Sequence, residues 1–491
     1  LNKNQNPDQT SGGYVMRALS RSLLTALGGA VLAAGISVPQ MAAAEDMVIR
    51  MAAPDWPPTR FMQEEANRSY KAPSGNNVTL EIDFIPWPNF YERVAASLTS
   101  GEEKYQMIVT DSQWLGAFVE GGYYLKLNDY IDADPELQAI MEDLHPALVA
   151  AYSTYPHKSE HYYGFPQMPD TYVTWFRKDI FCHEGERAAF QEAHGKVLPC
   201  TYAEWEEVDW DHWEAIGQFL RRATGDKLGD GVAEDDFYGV AYQAGKGYDF
   251  STMQINAFIW QNGGSIWDET KEPEGQALGV VNSGRNVAAL NRYLEILEHA
   301  PPAYKTGQMD IFQIQELFMQ GKVGAIINWV GLGEPVLDPA TSPVNDKVDF
   351  GRAPGTKGPD GNMIRWANIG GQPFVLTTWN NDTVNKEALD VVKWWLSPDV
   401  QKKFAQNGGQ SGLQSVMNSD EYNGYRPWNR AHVASLDWQR DVWHIPEFFE
   451  LLTQQQEEFD KVITGQTTAQ EALDAVAEYQ DEVLRDAGRI E

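Results

Sequence analysis

Asn328 and Trp329 stand at the end of the apolar run Val323–Ile327, with glycines 331 and 333 close behind. An indole face beside an amide suits a sugar, because the ring covers C–H patches while the amide hydrogen-bonds hydroxyls. Trp329 reads equally well as core. Two further sets combine the same chemistries: Asp55 precedes Trp56, and Asp111 is followed by Gln113 and Trp114. A carboxylate accepts charge-assisted hydrogen bonds from hydroxyls, although an Asp so placed also caps helices. A secreted glycosidase is the rival class; it would need two acids held at a set separation, and 70 Asp and Glu leave that alternative open. No HExxH, GxSxG or P-loop pattern is present.

The elements that must position these residues follow a β-α-β order. Alternation over Asp46–Ala53 predicts a first strand, Pro54–Pro58 a turn, and Phe61–Tyr70 a helix. Val78–Ile85 reads as a second strand. Trp87–Thr99 reads as a helix with Phe90, Val94 and Leu98 on one face, and Tyr105–Thr110 as a third strand. Such an order implies a parallel sheet covered by helices, whose ligands sit beyond the C-terminal strand ends. Asp55, Trp56, Asp111, Gln113 and Trp114 all follow strand ends. Further on, Asp310 and Gln313 are spaced as a capping box. Ile311, Ile314, Leu317 and Phe318 form one helical face, and Gly321 can close the helix. The strand that follows delivers Asn328 and Trp329.

With 491 residues and 43% hydrophobic content, the chain is long enough for two domains. Met16, Arg17 and Arg21, the apolar stretch 23–36 and Met41–Ala44 have the pattern of a signal peptide cleaved near Ala44, with a periplasmic destination. Residues 1–15 are expected to precede a start at Met16. The net charge is −32, and residues 1–44 contribute a surplus of two cations, so the remainder is more acidic still. That charge excludes nucleic acid and anionic lipid as general partners. The two cysteines, Cys182 and Cys200, predict one disulfide in an oxidising compartment, worth roughly 3 kcal/mol in the loop-closure model. A zinc site with His183 and His194 fits no usual spacing, and the acidic stretch 226–236 lacks a full calcium loop. Neither metal nor cofactor is expected.

Several phrases, in order, resemble the extracellular solute-binding proteins of carbohydrate ABC importers, the maltose-binding-protein-like class. They are F-x-x-G-K at Phe318–Lys322 leading to Trp329, Asp111–Leu127, Tyr163–Pro166 with Tyr172–Phe181, Gln254–Asp268, Trp366–Gln372, and Ser397–Gly409. Phe176-Arg177 departs from the family's usual Tyr-Asn. The resemblance implies an α/β, two-lobed periplasmic-binding-protein fold, each lobe a mainly parallel sheet flanked by helices, with multiple crossings. It places one lobe at 45–170 with 369–421 and the other at 171–368 with 422–491. It also implies a long helix over Trp205–Thr224 and a helical insertion over Gly185–Lys196. The function it implies is capture of a neutral mono- or oligosaccharide by a monomer, without catalysis, and delivery to permease subunits. Binding of a non-sugar solute on the same fold is the other alternative. The contacts it suggests are Asp55, Trp56, Asp111, Gln113, Trp114, Gln167, Asp170, Gln254, Asn256, Trp260, Asn328, Trp329, Gly370, Gly371 and Phe448. Arg365 is the cation that would meet an acidic sugar.

Overall fold

The structure, a computed structural model, describes residues 46–271 and 275–491. The expected signal segment and its cleavage site lie outside the described residues. Two sheets organise these residues. The first has the order Asn77–Ile85, Asp46–Pro54, Met107–Val109, Gly370–Leu376, Gly164–Asp170. Asp46–Pro54 runs parallel to both its neighbours, and Gly370–Leu376 runs antiparallel to both of its own. The second has the order Val348–Gly351, Tyr172–Arg177, Val323–Trp329, Tyr238–Ala241. Here Tyr172–Arg177 is antiparallel to both neighbours, and Tyr238–Ala241 is parallel to Val323–Trp329.

Each sheet thus contains a single reversed strand, and it is the strand by which the chain arrives from the other sheet. A crossover helix returns a chain to the same end of its sheet and preserves direction. A chain stepping directly between sheets enters at the facing end and must run outward. Tyr172–Arg177 begins two residues after Asp170 closes its strand in the first sheet, and Gly370–Leu376 begins the return. The remaining strands all point their C-terminal ends at the gap.

Burial follows the pleat. In the first sheet Ile49, Met51, Met107 and Val109 share a core with Trp395 and Phe404, while Ala52 and Ile108 belong to a core with Phe90 and Trp114. The helices Asp382–Trp395 and Pro398–Gln406 supply Trp395 and Phe404. The paired C-terminal helices Phe448–Ile463 and Ala469–Asp486 pack on Phe250–Gln261 and Gly284–Leu297. Cys182 and Cys200 are disulfide-bonded and bracket the helix Glu184–His194.

Several element boundaries differ from the expected ones. The first helix begins at Pro57, since proline's fixed φ and missing N–H suit a first helical turn. The third strand is only Met107–Val109. No long helix spans 205–224. Instead Tyr202–Trp205 ends, and Asp209 caps a new helix, Trp210–Phe219, by accepting from the backbone N–H of His212 at 2.8 Å.

Gly371 has φ +94°, and a Cβ there would collide with the carbonyl oxygen of Met168. Gly371→Ala is therefore expected to destabilise the protein by about 1–3 kcal/mol, read as a lower denaturation midpoint with an unchanged slope.

Candidate functional site

The strand ends meet around one cavity. It is lined by Trp56, Trp87, Asp111, Gln113, Asp170, Tyr248, Asp249, Phe250, Ile311, Trp329, Leu332, Ile369, Gly370, Gly371 and Gln372. Trp56 follows Asp46–Pro54, Trp87 follows Asn77–Ile85, and Asp111 follows Met107–Val109. Trp329 ends the strand Val323–Trp329 of the opposite sheet. Trp56 and Trp87 meet edge to face with centroids 5.4 Å apart, and Trp329 meets Tyr172 likewise at 5.2 Å. These contacts fix the rings and leave indole surface on both sides of the cavity.

Three carboxylates stand in the wall. Asp170 accepts from the backbone N–H of Thr171 at 2.9 Å and of Gly331 at 3.1 Å. Burial nevertheless pushes its carboxyl up to about 7, those hydrogen bonds opposing the rise. Asp249, just before the helix Phe250–Gln261, is raised to about 7, by burial first and with a contribution from the Asp441 charge. Asp111 is raised well above the ordinary carboxylate range by burial, then by Asp249 and Asp441. Polar links cross the gap: Gln113 Nε2 donates to Asp249 Oδ2 at 3.3 Å, and the Tyr248 hydroxyl to Asp111 Oδ2 at 3.3 Å. Among the described lining residues there is no Lys, Arg or His.

Of the residues singled out from sequence, Trp56, Asp111, Gln113, Asp170, Trp329, Gly370 and Gly371 come together here. The others do not line this cavity. Asp55 forms an ion pair with Arg60 at 2.6 Å. Trp114 is fully buried behind the wall, packed on Phe90 and donating to the Tyr248 hydroxyl. Asn328 is buried and spent locally, donating to the Ile311 carbonyl at 2.9 Å and accepting from the Trp329 N–H at 2.9 Å. Gln167 and Gln254 are buried away from the cavity, and Asn256 donates to Gln455 Oε1 at 2.9 Å. Phe448 is buried against Tyr91.

Arg365 is buried too. Its guanidinium donates to the Ala353 and Glu206 carbonyls, and burial lowers it to about 10. Trp260 lines an adjoining cavity with Trp366 and Trp267, where Arg440 lies over both Trp260 and Trp366. The two cavities share Ile369.

Trp87, Tyr248, Asp249, Phe250, Ile311, Leu332, Ile369 and Gln372 line the site without having been singled out. For Trp87 a signal existed, because it follows the second strand as Trp56 follows the first.

Asp249 provides a stability test. Its carboxyl is raised above the unfolded value of about 3.9, so the stability it contributes is present below that pH and lost as pH rises through about 7. Relative to Asp249→Asn, the ligand-free wild type is expected to lose stability between about pH 4 and pH 7 and then level off. Urea denaturation of both proteins across that range measures the difference.

A family model described as bacterial extracellular solute-binding protein matches residues 53–402, more than half of the chain. A mannitol-binding protein of Pseudomonas aeruginosa is 22% identical over 348 residues, covering 66% of this chain and 70% of that protein. Among solved structures, an ABC transporter solute-binding protein from Agrobacterium radiobacter K84 in complex with ribitol superposes with a TM-score of 0.68 at 21% identity. The match covers 89% of this chain and 98% of that one. Maltose-bound MalE3 of T. maritima also gives 0.68, at 18% identity, covering 89% and 100%. The family match and the two-lobed fold agree, and the chain belongs to the bacterial extracellular solute-binding proteins.

Proposed function

We propose that this protein captures a small polyhydroxylated solute, a sugar or polyol, between its two lobes and delivers it to the permease of an ABC importer. The observation that carries this reading is the placing of Trp56, Trp87 and Trp329 around Asp111, Gln113 and Gln372 at the meeting strand ends. Indole faces take up C–H surface, and carboxylates and amides take up hydroxyls. The relatives named for mannitol, ribitol and maltose support the same chemistry.

In this reading the lobes comprise 45–170 with 369–421 and 171–368 with 422–491. They close by hinge motion around the crossings, and the closed form is what the permease recognises. The protein works as a periplasmic monomer after removal of a signal peptide near Ala44. It binds without turnover, and uses neither a cofactor nor nucleic acid.

Thermal unfolding of ligand-free protein against a panel of polyols, monosaccharides and oligosaccharides tests the reading. A ligand at one hundred times its Kd is expected to stabilise by about 2.7 kcal/mol and to be recovered unchanged. Trp329→Ala is expected to weaken the binding of that ligand about tenfold or more, measured by titration calorimetry. Consumption of the ligand, or stabilisation by no member of the panel, would overturn the proposal.

A further inference from the structure

The cavity wall has acceptors without matching donors. The Asp170 carboxylate is engaged by backbone N–H groups, and Asp441, behind the wall, by the Ser112 hydroxyl at 2.6 Å and by His444 Nε2 at 2.8 Å. Asp111 and Asp249 have longer contacts: Asp111 accepts from the Gln113 backbone N–H at 3.4 Å and lies 3.3 Å from the Ser112 hydroxyl that Asp441 holds more closely. They approach from opposite sheets, one following Met107–Val109 and the other preceding Phe250–Gln261. Their side-chain links across the gap, from Tyr248 and Gln113, are both 3.3 Å, long for bonds to a carboxylate. Asp249 sits at its helix N-cap without capping it, so local structure does not account for its charge.

A separate observation points the same way. Gln113 and Gln372 line the cavity while only 2% exposed, and the buried Oε1 of each has no protein donor. Trp56 Nε1 is the lone unpartnered buried donor among the described lining residues. A hydroxyl donates one hydrogen and also asks to accept, whereas an ammonium donates three, accepts none and carries the opposing charge.

We infer that the cargo is a polyhydroxylated amine, an amino sugar or amino polyol, whose ammonium lies among Asp111, Asp249 and Gln113 while its carbon skeleton rests on Trp56 and Trp329. This rests on the polyhydroxy reading above and narrows it. The two kinds of ligand differ in sign with pH. Asp441, His444, Tyr248 and Asp170 also face or adjoin the facing pair, but among these neighbours only His444 can carry a positive charge. A neutral ligand leaves the pair to be neutralised by protons, so its binding weakens as pH rises through about 7, where Asp249 ionises. An ammonium takes the place of the proton, and its binding strengthens over the same range.

The test is calorimetric titration of ligand-free protein at about pH 5.5 and about pH 7.5. The probes are a neutral polyol or sugar, its monoamino counterpart with the amine protonated throughout, and the matching uronate. The amine is expected to bind about tenfold or more tightly than the neutral compound at the higher pH. That ratio should shrink at the lower pH, and the uronate should be weakest. In Asp249→Asn, with folding checked by its unfolding transition, the ratio is expected to fall towards one. A neutral compound binding as tightly as its amine at the higher pH overturns this inference and leaves the polyhydroxy reading standing, as does a ratio untouched by Asp249→Asn. Failure of every probe to bind overturns both.

Discussion

The carboxylate of Asp170 is the knot on which the rest of the site depends. It closes the strand Gly164–Asp170, and the next residue but one opens the opposite sheet. Its oxygens accept from Thr171 N–H, in the crossing itself, and from Gly331 N–H, in the turn after Trp329. Val330 N–H meanwhile donates to the Thr171 carbonyl at 3.0 Å. One buried side chain therefore ties the crossing to the turn that carries Trp329. Gly331 also has to be glycine, since a Cβ there would press on the Trp56 ring and on Asp170 itself. Burying a carboxylate is costly unless its hydrogen bonds are supplied, and here the supply comes from the backbone segments that must be held together. Gly370 completes the arrangement, lying against the Trp329 ring and pairing with Asp170 in the sheet.

The direct crossing also explains where the chemistry collects. A strand that enters from the other sheet has to run outward, so each sheet keeps one reversed strand and turns its other strand ends inward. Residues just past those ends are freed from the ladder and can present side chains to the gap. Trp56, Trp87 and Asp111 reach the cavity this way from the first sheet and Trp329 from the second. The tyrosine and aspartate at 248 and 249 reach it from the segment that joins Tyr238–Ala241 to its following helix.

The strand-end rule was legible in the sequence, and so was the alternation that located the first two strands. What failed was the assumption that neighbouring residues share a destination. In a strand successive side chains point to opposite faces, so Trp329 in the cavity sends Asn328 to the Ile311 carbonyl. After Met107–Val109 the chain turns at once into a short 3₁₀ segment, and Gln113 faces the cavity while Trp114 enters the core. Gln254 and Asn256 stand outside the cavity for a different reason. Phe250–Gln261 is buried on every side, so its polar residues face protein, as Asn256 faces Gln455 of Phe448–Ile463, a packing that cannot be read from the helix itself. Asp249 carried no motif, and only the meeting of two sheets gives its position meaning.

The electrostatics make the meeting of the lobes conditional. Apolar and aromatic surface on both sides favours closure, because it removes indole area from water. In the arrangement seen, Asp111 and Asp249 share a poorly solvated space in which burial and the Asp249 charge raise the cost of ionising Asp111. The two effects oppose one another over the same few ångströms. A closed state held by ring contacts alone would persist without cargo, whereas one that also confines facing carboxylates needs hydrogen-bond donors or protons between them. Under the proposed capture role, that opposition would separate loaded from empty: the aromatic walls would supply affinity, and the carboxylates would resist closure without a donor-bearing ligand.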